Sequence, residues 1–145
     1  MSVLPDYLFV YGTLLSEVPS SMSKFLRRRA ALIGRGTTSG RLIDLGGYPG
    51  FLSEGGTTRG EVYRIHAERA EETWQLLDAY EGVSGLSTEE YRRDWVEVKL
   101  EHGEIVRAQT YIYQQAAGLR SVIPGGDYLP FYASNPAHRK FTGHD

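Results

Sequence analysis

The 145-residue chain contains no cysteine. That excludes a thiol nucleophile, a Cys-based zinc site, an iron–sulfur cluster and a disulfide framework. It fits a reducing compartment, and a cytoplasmic location is the expectation. Long hydrophobic runs are missing too. The longest apolar stretch is about five residues, against the ~20 that a membrane-spanning helix needs. The amino-terminal MSVLPDYLFVYGTL has no basic segment ahead of its apolar residues, so no signal peptide is expected. Charge of either sign is not in excess: 16 Lys plus Arg against 18 Asp plus Glu give a formal net charge of −2. A general binder of nucleic acid or of anionic membranes is therefore not expected.

What is abundant is glycine, with 17 residues, and tyrosine, with 10. The composition points to a turn-rich chain with a large β component. The length predicts residues 1–145 as a single domain, since domains cluster near ~100–150 residues. Tyr7–Tyr11 reads as a buried strand that stops at Gly12-Thr13. Ser20 or Ser21 can cap a helix over about Met22–Ala31. Two short strands follow, near Ala31–Arg35 and Gly40–Leu45, with a bend between them. Gly46–Gly50 has loop chemistry. Thr58–Ile65 alternates as a strand, and Glu68–Tyr80 carries a helical apolar stripe through Ala70, Trp74, Leu77 and Tyr80. Gly82 supplies its stop. Tyr91–Leu100 and Ile105–Tyr113 form a hairpin around His102-Gly103. The remainder is irregular, with one short helix near Leu129–Ser134. Strands dominate the middle and end, so the expected class is α+β: a small, mixed, strongly bent β-sheet or β-barrel with two flanking helices.

Glu81 is the strongest chemical candidate. It lies seven residues after Trp74 and four after Leu77, on the apolar side of the helix. There it meets low dielectric and the negative end of the helix dipole. Both disfavour the anion and suit a general base working near neutral pH. The competing reading is a frayed, half-exposed helix end. The turn Tyr11-Gly12-Thr13-Leu14 directly follows the first strand. Its N–H groups can receive an anion or a developing oxyanion; an ordinary strand exit is the alternative.

Other signals are weaker. Gly34–Gly40 has the wrong spacing for a dinucleotide loop, and no helix follows it. No phosphate-binding Gly-Lys-Ser/Thr and no Gly-x-Ser-x-Gly elbow occurs. His66, His102, His138 and His144 are scattered, so neither a metal nor a cofactor is expected. Lys24 and Arg27–Arg29 read as a solvated helical face.

Five segments in order resemble the γ-glutamylcyclotransferase-like family: FVYGTL at Phe9–Leu14, GYPG at Gly47–Gly50, GEVY at Gly60–Tyr63, LDAYEG at Leu77–Gly82 and YRRDWVEV at Tyr91–Val98. IPGGDY at Ile123–Tyr128 resembles the family's late segment. The resemblance implies a small mixed barrel and release of a γ-glutamyl group from an amine as 5-oxoproline. It puts the catalytic glutamate at Glu81 and the substrate cradle at Tyr11, Gly12, Thr13 and Leu14. The implied partner is a small-molecule γ-glutamyl amine. Such a substrate carries its own nucleophile, the α-amine, so neither Ser nor Cys is needed. The alternative is a non-catalytic module on the same fold that binds a γ-glutamyl-like ligand.

Overall fold

A computed structural model describes residues 5–142. The first four residues, part of the segment read for a signal peptide, lie outside it, as does His144. Five strands close into a barrel in the order β1-β3-β2-β4-β5. They are β1 (Asp6–Val10), β2 (Ala30–Asp44), β3 (Pro49–Ile65), β4 (Tyr91–Leu100) and β5 (Ile105–Tyr113). Every pairing is antiparallel except the closure of β1 on β5, which is parallel at Leu8 and Gln109. The mixed barrel expected from the sequence is thus present. Leu8, Leu42, Phe51, Val62, Val98 and Ala108 fill its interior with no side-chain exposure beyond 1%.

The middle of the chain differs from the sequence reading. The two short strands expected near Ala31–Arg35 and Gly40–Leu45 are one strand of 15 residues, β2. Its ladder with β3 shifts register between Leu32 and Gly34 and again between Ser39 and Arg41. Glycine here marks bulges that bend one long hairpin, a sheet device for closing a small barrel. Pro49 and Gly50, expected as loop, already pair with Asp44 and Ile43.

Helix α1 (Ser21–Arg29) is capped by Ser20, whose Oγ accepts from Ser23 N at 3.0 Å. Helix α2 (Ala70–Glu81) buries Thr73, Trp74 and Leu77. Burying a leucine such as Leu77 contributes about 1.5–3 kcal/mol. Gly82 ends α2 with φ of 71°, a left-handed conformation that glycine adopts without cost. Val83 N–H then donates back to Asp78 O at 2.8 Å. Beyond the two flanking helices come a 3-10 turn at Pro124–Gly126 and two short helices, α3 (Tyr128–Ala133) and α4 (Pro136–Phe141). The sequence pattern pointed to α3 alone. Six residues of α4 are too few for a visible apolar period, and its signals are local: Pro136 in the first turn and Asn135 as cap.

The basic residues of α1 have specific partners. Arg27 donates to Ser16 O at 2.6 Å, and Arg29 reaches Thr73 and Glu72 on α2 while lying over the Phe25 ring. Among the described residues no helix is long and apolar enough to cross a membrane.

Candidate active site

Glu81 is the last residue of α2, and its position is set from the barrel side. Three residues earlier, Asp78 accepts two hydrogen bonds from Arg93 Nη1 at 3.0 Å and one from the Tyr111 hydroxyl at 2.8 Å. Arg93 also lies over the Trp74 ring, 4.5 Å from its centroid. These contacts tie the end of α2 to β4 and β5. The pair is partly buried, so its charge-assisted hydrogen bonds fix geometry more firmly than a surface ion pair would.

The turn after β1 is held from several sides. Leu15 N–H donates to Gly12 O at 3.0 Å, and Ser20 Oγ donates to Thr13 O at 2.7 Å. Buried Glu61 on β3 accepts from both Ser16 N, at 2.8 Å, and Ser16 Oγ, at 2.7 Å. The N–H groups of Gly12, Thr13 and Leu14 meet no acceptor among the described residues. Gly12 answers a close approach: a Cβ there would stand 2.5 Å from Pro49 Cγ. The GYPG segment therefore packs directly on the turn, and glycine is the residue that allows it.

Glu81 and the turn line one cleft of about 230 Å³. Its floor is made by Phe9, Tyr11, Tyr91 and Tyr111, all nearly buried. Tyr11 donates to Tyr111 O at 2.7 Å and Tyr91 to Pro49 O at 2.7 Å, so both rings are fixed. Tyr113 packs edge-on against Tyr91, with centroids 6.2 Å apart. The rim carries Tyr48, Tyr80, Glu90 and Phe141. Thr13 Oγ1 pairs with the Tyr80 hydroxyl at 3.2 Å, linking the turn to α2.

The electrostatics follow from this enclosure. Burial in the aromatic cleft, then the charges of Glu90 and Asp78, push the Glu81 carboxyl up to about 8. The frayed, solvent-facing helix end is thus replaced by a partly buried carboxyl facing a cleft. Tyr48 is raised to about 12 by burial and by its hydrogen bond to Glu90. Burial first, and next the bond to Asp78, drive Tyr111 far above its ordinary range.

Glu90 had no signal in the sequence, because it stands outside the helix and next to an equally plausible Glu89. The structure separates the two. Glu89 turns back to accept from Ser84 N, Ser84 Oγ, Gly85 N and Leu86 N, which lowers its pKa and orders the loop. Glu90 faces the cleft and accepts from the Tyr48 hydroxyl at 2.7 and 2.8 Å. Phe141 also went unseen, and Tyr48 reads only as part of the GYPG segment, since only the tertiary fold brings the end of α4 onto that segment. Among the described residues no group of three or more His, Asp or Glu is arranged to hold a metal ion.

Comparison with known proteins agrees with this architecture. The family model described as gamma-glutamyl cyclotransferase, AIG2-like, matches residues 8–130. A Vibrio cholerae protein provisionally named gamma-glutamylcyclotransferase is 36% identical over 123 residues, 83% of this chain and 93% of that one. The Escherichia coli gamma-glutamylcyclotransferase family protein YtfP is 34% identical over 124 residues, 84% of this chain and 95% of that one. Its solution structure has a TM-score of 0.56 to this fold, covering 85% of this chain and 96% of that chain at 31% identity. An AIG2-like protein from Mus musculus shares the fold with a TM-score of 0.69 at 23% identity, covering 92% of each chain. The chain belongs to the gamma-glutamyl cyclotransferase, AIG2-like family.

Proposed function

We propose that this protein is an enzyme that releases 5-oxoproline and a free amine from γ-glutamyl amines, with Glu81 as the acid/base group and Tyr11–Leu14 as the substrate cradle. The observation that carries the reading is the shared cleft: a carboxyl pushed up to about 8 lines it together with a turn whose Gly12–Leu14 N–H groups meet no acceptor among the described residues.

The substrate's α-ammonium must lose a proton before its nitrogen can attack. A peptide α-amine titrates near ~8 and the neighbouring α-carboxylate of the substrate raises that value, so a carboxyl held at about 8 is far better matched to it than an ordinary glutamate. The free α-amine attacks the γ-carbonyl carbon, forming the C–N bond of a five-membered ring. The oxyanion and the α-carboxylate compete for the Gly12–Leu14 N–H groups, and either is stabilised there. Glu81 then returns that proton to the departing nitrogen as the original amide C–N bond breaks, and the second proton, left on the ring nitrogen by the attack, passes to the released amine. Protons balance, because the ammonium of the substrate becomes the ammonium of the released amine. Holding the glutamyl chain folded against the aromatic floor supplies the proximity term.

The test is incubation with a panel of γ-glutamyl amines while following 5-oxoproline. Turnover is expected with at least one, and Glu81→Gln should lower kcat by about 10²–10⁴-fold. Normal turnover by that variant sinks Glu81 as the acid/base group. Saturable binding with the ligand unchanged after long incubation sinks the enzymatic reading and leaves a binding module.

A further inference from the structure

The cleft is closed at one end and open at the other. Tyr11, Tyr91 and Tyr111 at the floor are 7%, 5% and 3% exposed, whereas Phe141 at the rim is 51% exposed. Cyclisation requires both the α-amine and the γ-carbonyl beside Glu81, so the glutamyl part occupies the closed end. Whatever substituent the γ-nitrogen bears must then leave towards the rim. Two rings stand there: Tyr48 and Phe141, with centroids 4.9 Å apart and planes tilted by 42°.

Both rings are held in place. The Tyr48 hydroxyl is bound by Glu90. Phe141 rests on the backbone of Gly47, where a Cβ would come within 3.3 Å of its ring. It ends α4, and α4 is seated by a fully buried side chain, His138. His138 Nε2 bonds Asp44 Oδ1 at 2.7 Å, and its Nδ1 bonds the Tyr128 hydroxyl at 2.7 Å. Asp44 in turn accepts from Gly46 N–H at 2.8 Å, in the same loop that presents Tyr48. One hydrogen-bonded chain therefore sets both halves of the aromatic wall. Neither the acid/base chemistry of Glu81 nor the backbone cradle requires such a wall.

We propose that Tyr48 and Phe141 are the specificity-determining pair for the leaving amine, selecting γ-glutamyl amines whose amine bears a hydrocarbon chain, and that His138 is the positioning residue that seats them. The proposal rests on the cyclotransferase reading for the direction in which the substrate lies. A chain of several methylenes leaving the rim lies against the two rings and is removed from water. A methyl group offers the two rings far less apolar surface.

The test compares γ-glutamyl-n-butylamine with γ-glutamylmethylamine, by turnover in the wild type and by calorimetric binding to the Glu81→Gln protein. The butyl compound should be favoured by about tenfold or more in kcat/KM and in Kd. Phe141→Ala should bring both ratios close to one, mainly through KM, and Phe141→Leu should restore most of the preference. His138→Ala should erode the same ratio. Because loss of that buried side chain can also unfold the protein, Phe141→Ala at the exposed rim decides the matter. An unchanged ratio in Phe141→Ala, or no preference in the wild type, overturns the proposal. A Kd preference that depends on Phe141 without any 5-oxoproline sustains the wall and overturns only the catalytic reading.

Discussion

Replacing Glu81 by glutamine should change how the stability of this protein depends on pH, whatever its substrate. An unfolded glutamate titrates near ~4.3, whereas burial, Glu90 and Asp78 hold Glu81 at about 8 in the fold. Between those two values the native state binds a proton that the unfolded state has lost. Stability therefore falls as pH rises, by up to ~1.4 kcal/mol per pH unit from this one group. The penalty is absent below the unfolded value and complete above the folded one. Partial solvent access to the side chain trims the total to a few kcal/mol, still a large share of the ~5–15 kcal/mol that holds a typical domain together. Glutamine has nearly the shape of the protonated carboxyl and cannot ionise. Urea denaturation of both proteins at intervals from pH 5 to 9 isolates the contribution of Glu81 together with its coupling to the neighbouring charges of Glu90 and Asp78, since groups remote from it cancel in the difference. At pH 5 the two should differ by no more than about 1 kcal/mol. By pH 9 the variant should be more stable by a few kcal/mol, with an unchanged m-value. A constant difference across that range would refute the placement of Glu81 in a low-dielectric cleft and remove the basis for its acid/base role.

Three further outcomes follow from the site. Glu90→Gln removes one of the charges that raise Glu81, so the acid limb of the kcat/KM profile for 5-oxoproline release should move to lower pH. Gly12→Ala drives a methyl group into Pro49; overpacking of this kind costs about 1–3 kcal/mol, and thermal melts together with a raised KM should report it. Glu61→Gln leaves one of the two Ser16 donors without its carboxylate oxygen; a loss of about 1–3 kcal/mol is expected, with faster amide exchange at Leu15 and Ser16 as the direct readout.

Much of the site was legible before any coordinates. Glu81 announced itself through spacing, because residues four and seven positions after buried apolar ones return to the same helical face. Glycine at position 12 permits either a positive φ or a close approach of the backbone to a ligand; what the structure shows is the close packing of Pro49 on it. Asp78 illustrates the limit. Its position in LDAYEG is local information, but its role as anchor depends on Arg93 and Tyr111, which arrive from strands 15 and 33 residues away in sequence. Likewise Glu61 sits in the GEVY segment as one strand residue among many. Only the pairing of β3 beside β1 brings it to Ser16, 45 residues earlier.

The absence of cysteine and of long apolar runs, the 3.6-residue stripe of α2 and the alternation of β4 and β5 were properties of the chain alone. They determined the α+β class and the face on which Glu81 stands, because hydrophobic periodicity is a local quantity; that the bent sheet closes into a barrel is decided by the pairing of β1 with β5. The tertiary structure decided that β2 is one bent strand rather than two, since bulges are defined by the partner strand and not by glycine itself. It also decided which of two adjacent glutamates faces the cleft, and it built the aromatic rim from Tyr48 and Phe141, 93 residues apart. Such choices depend on long-range packing and on competition among hydrogen-bond donors, which no window of sequence contains.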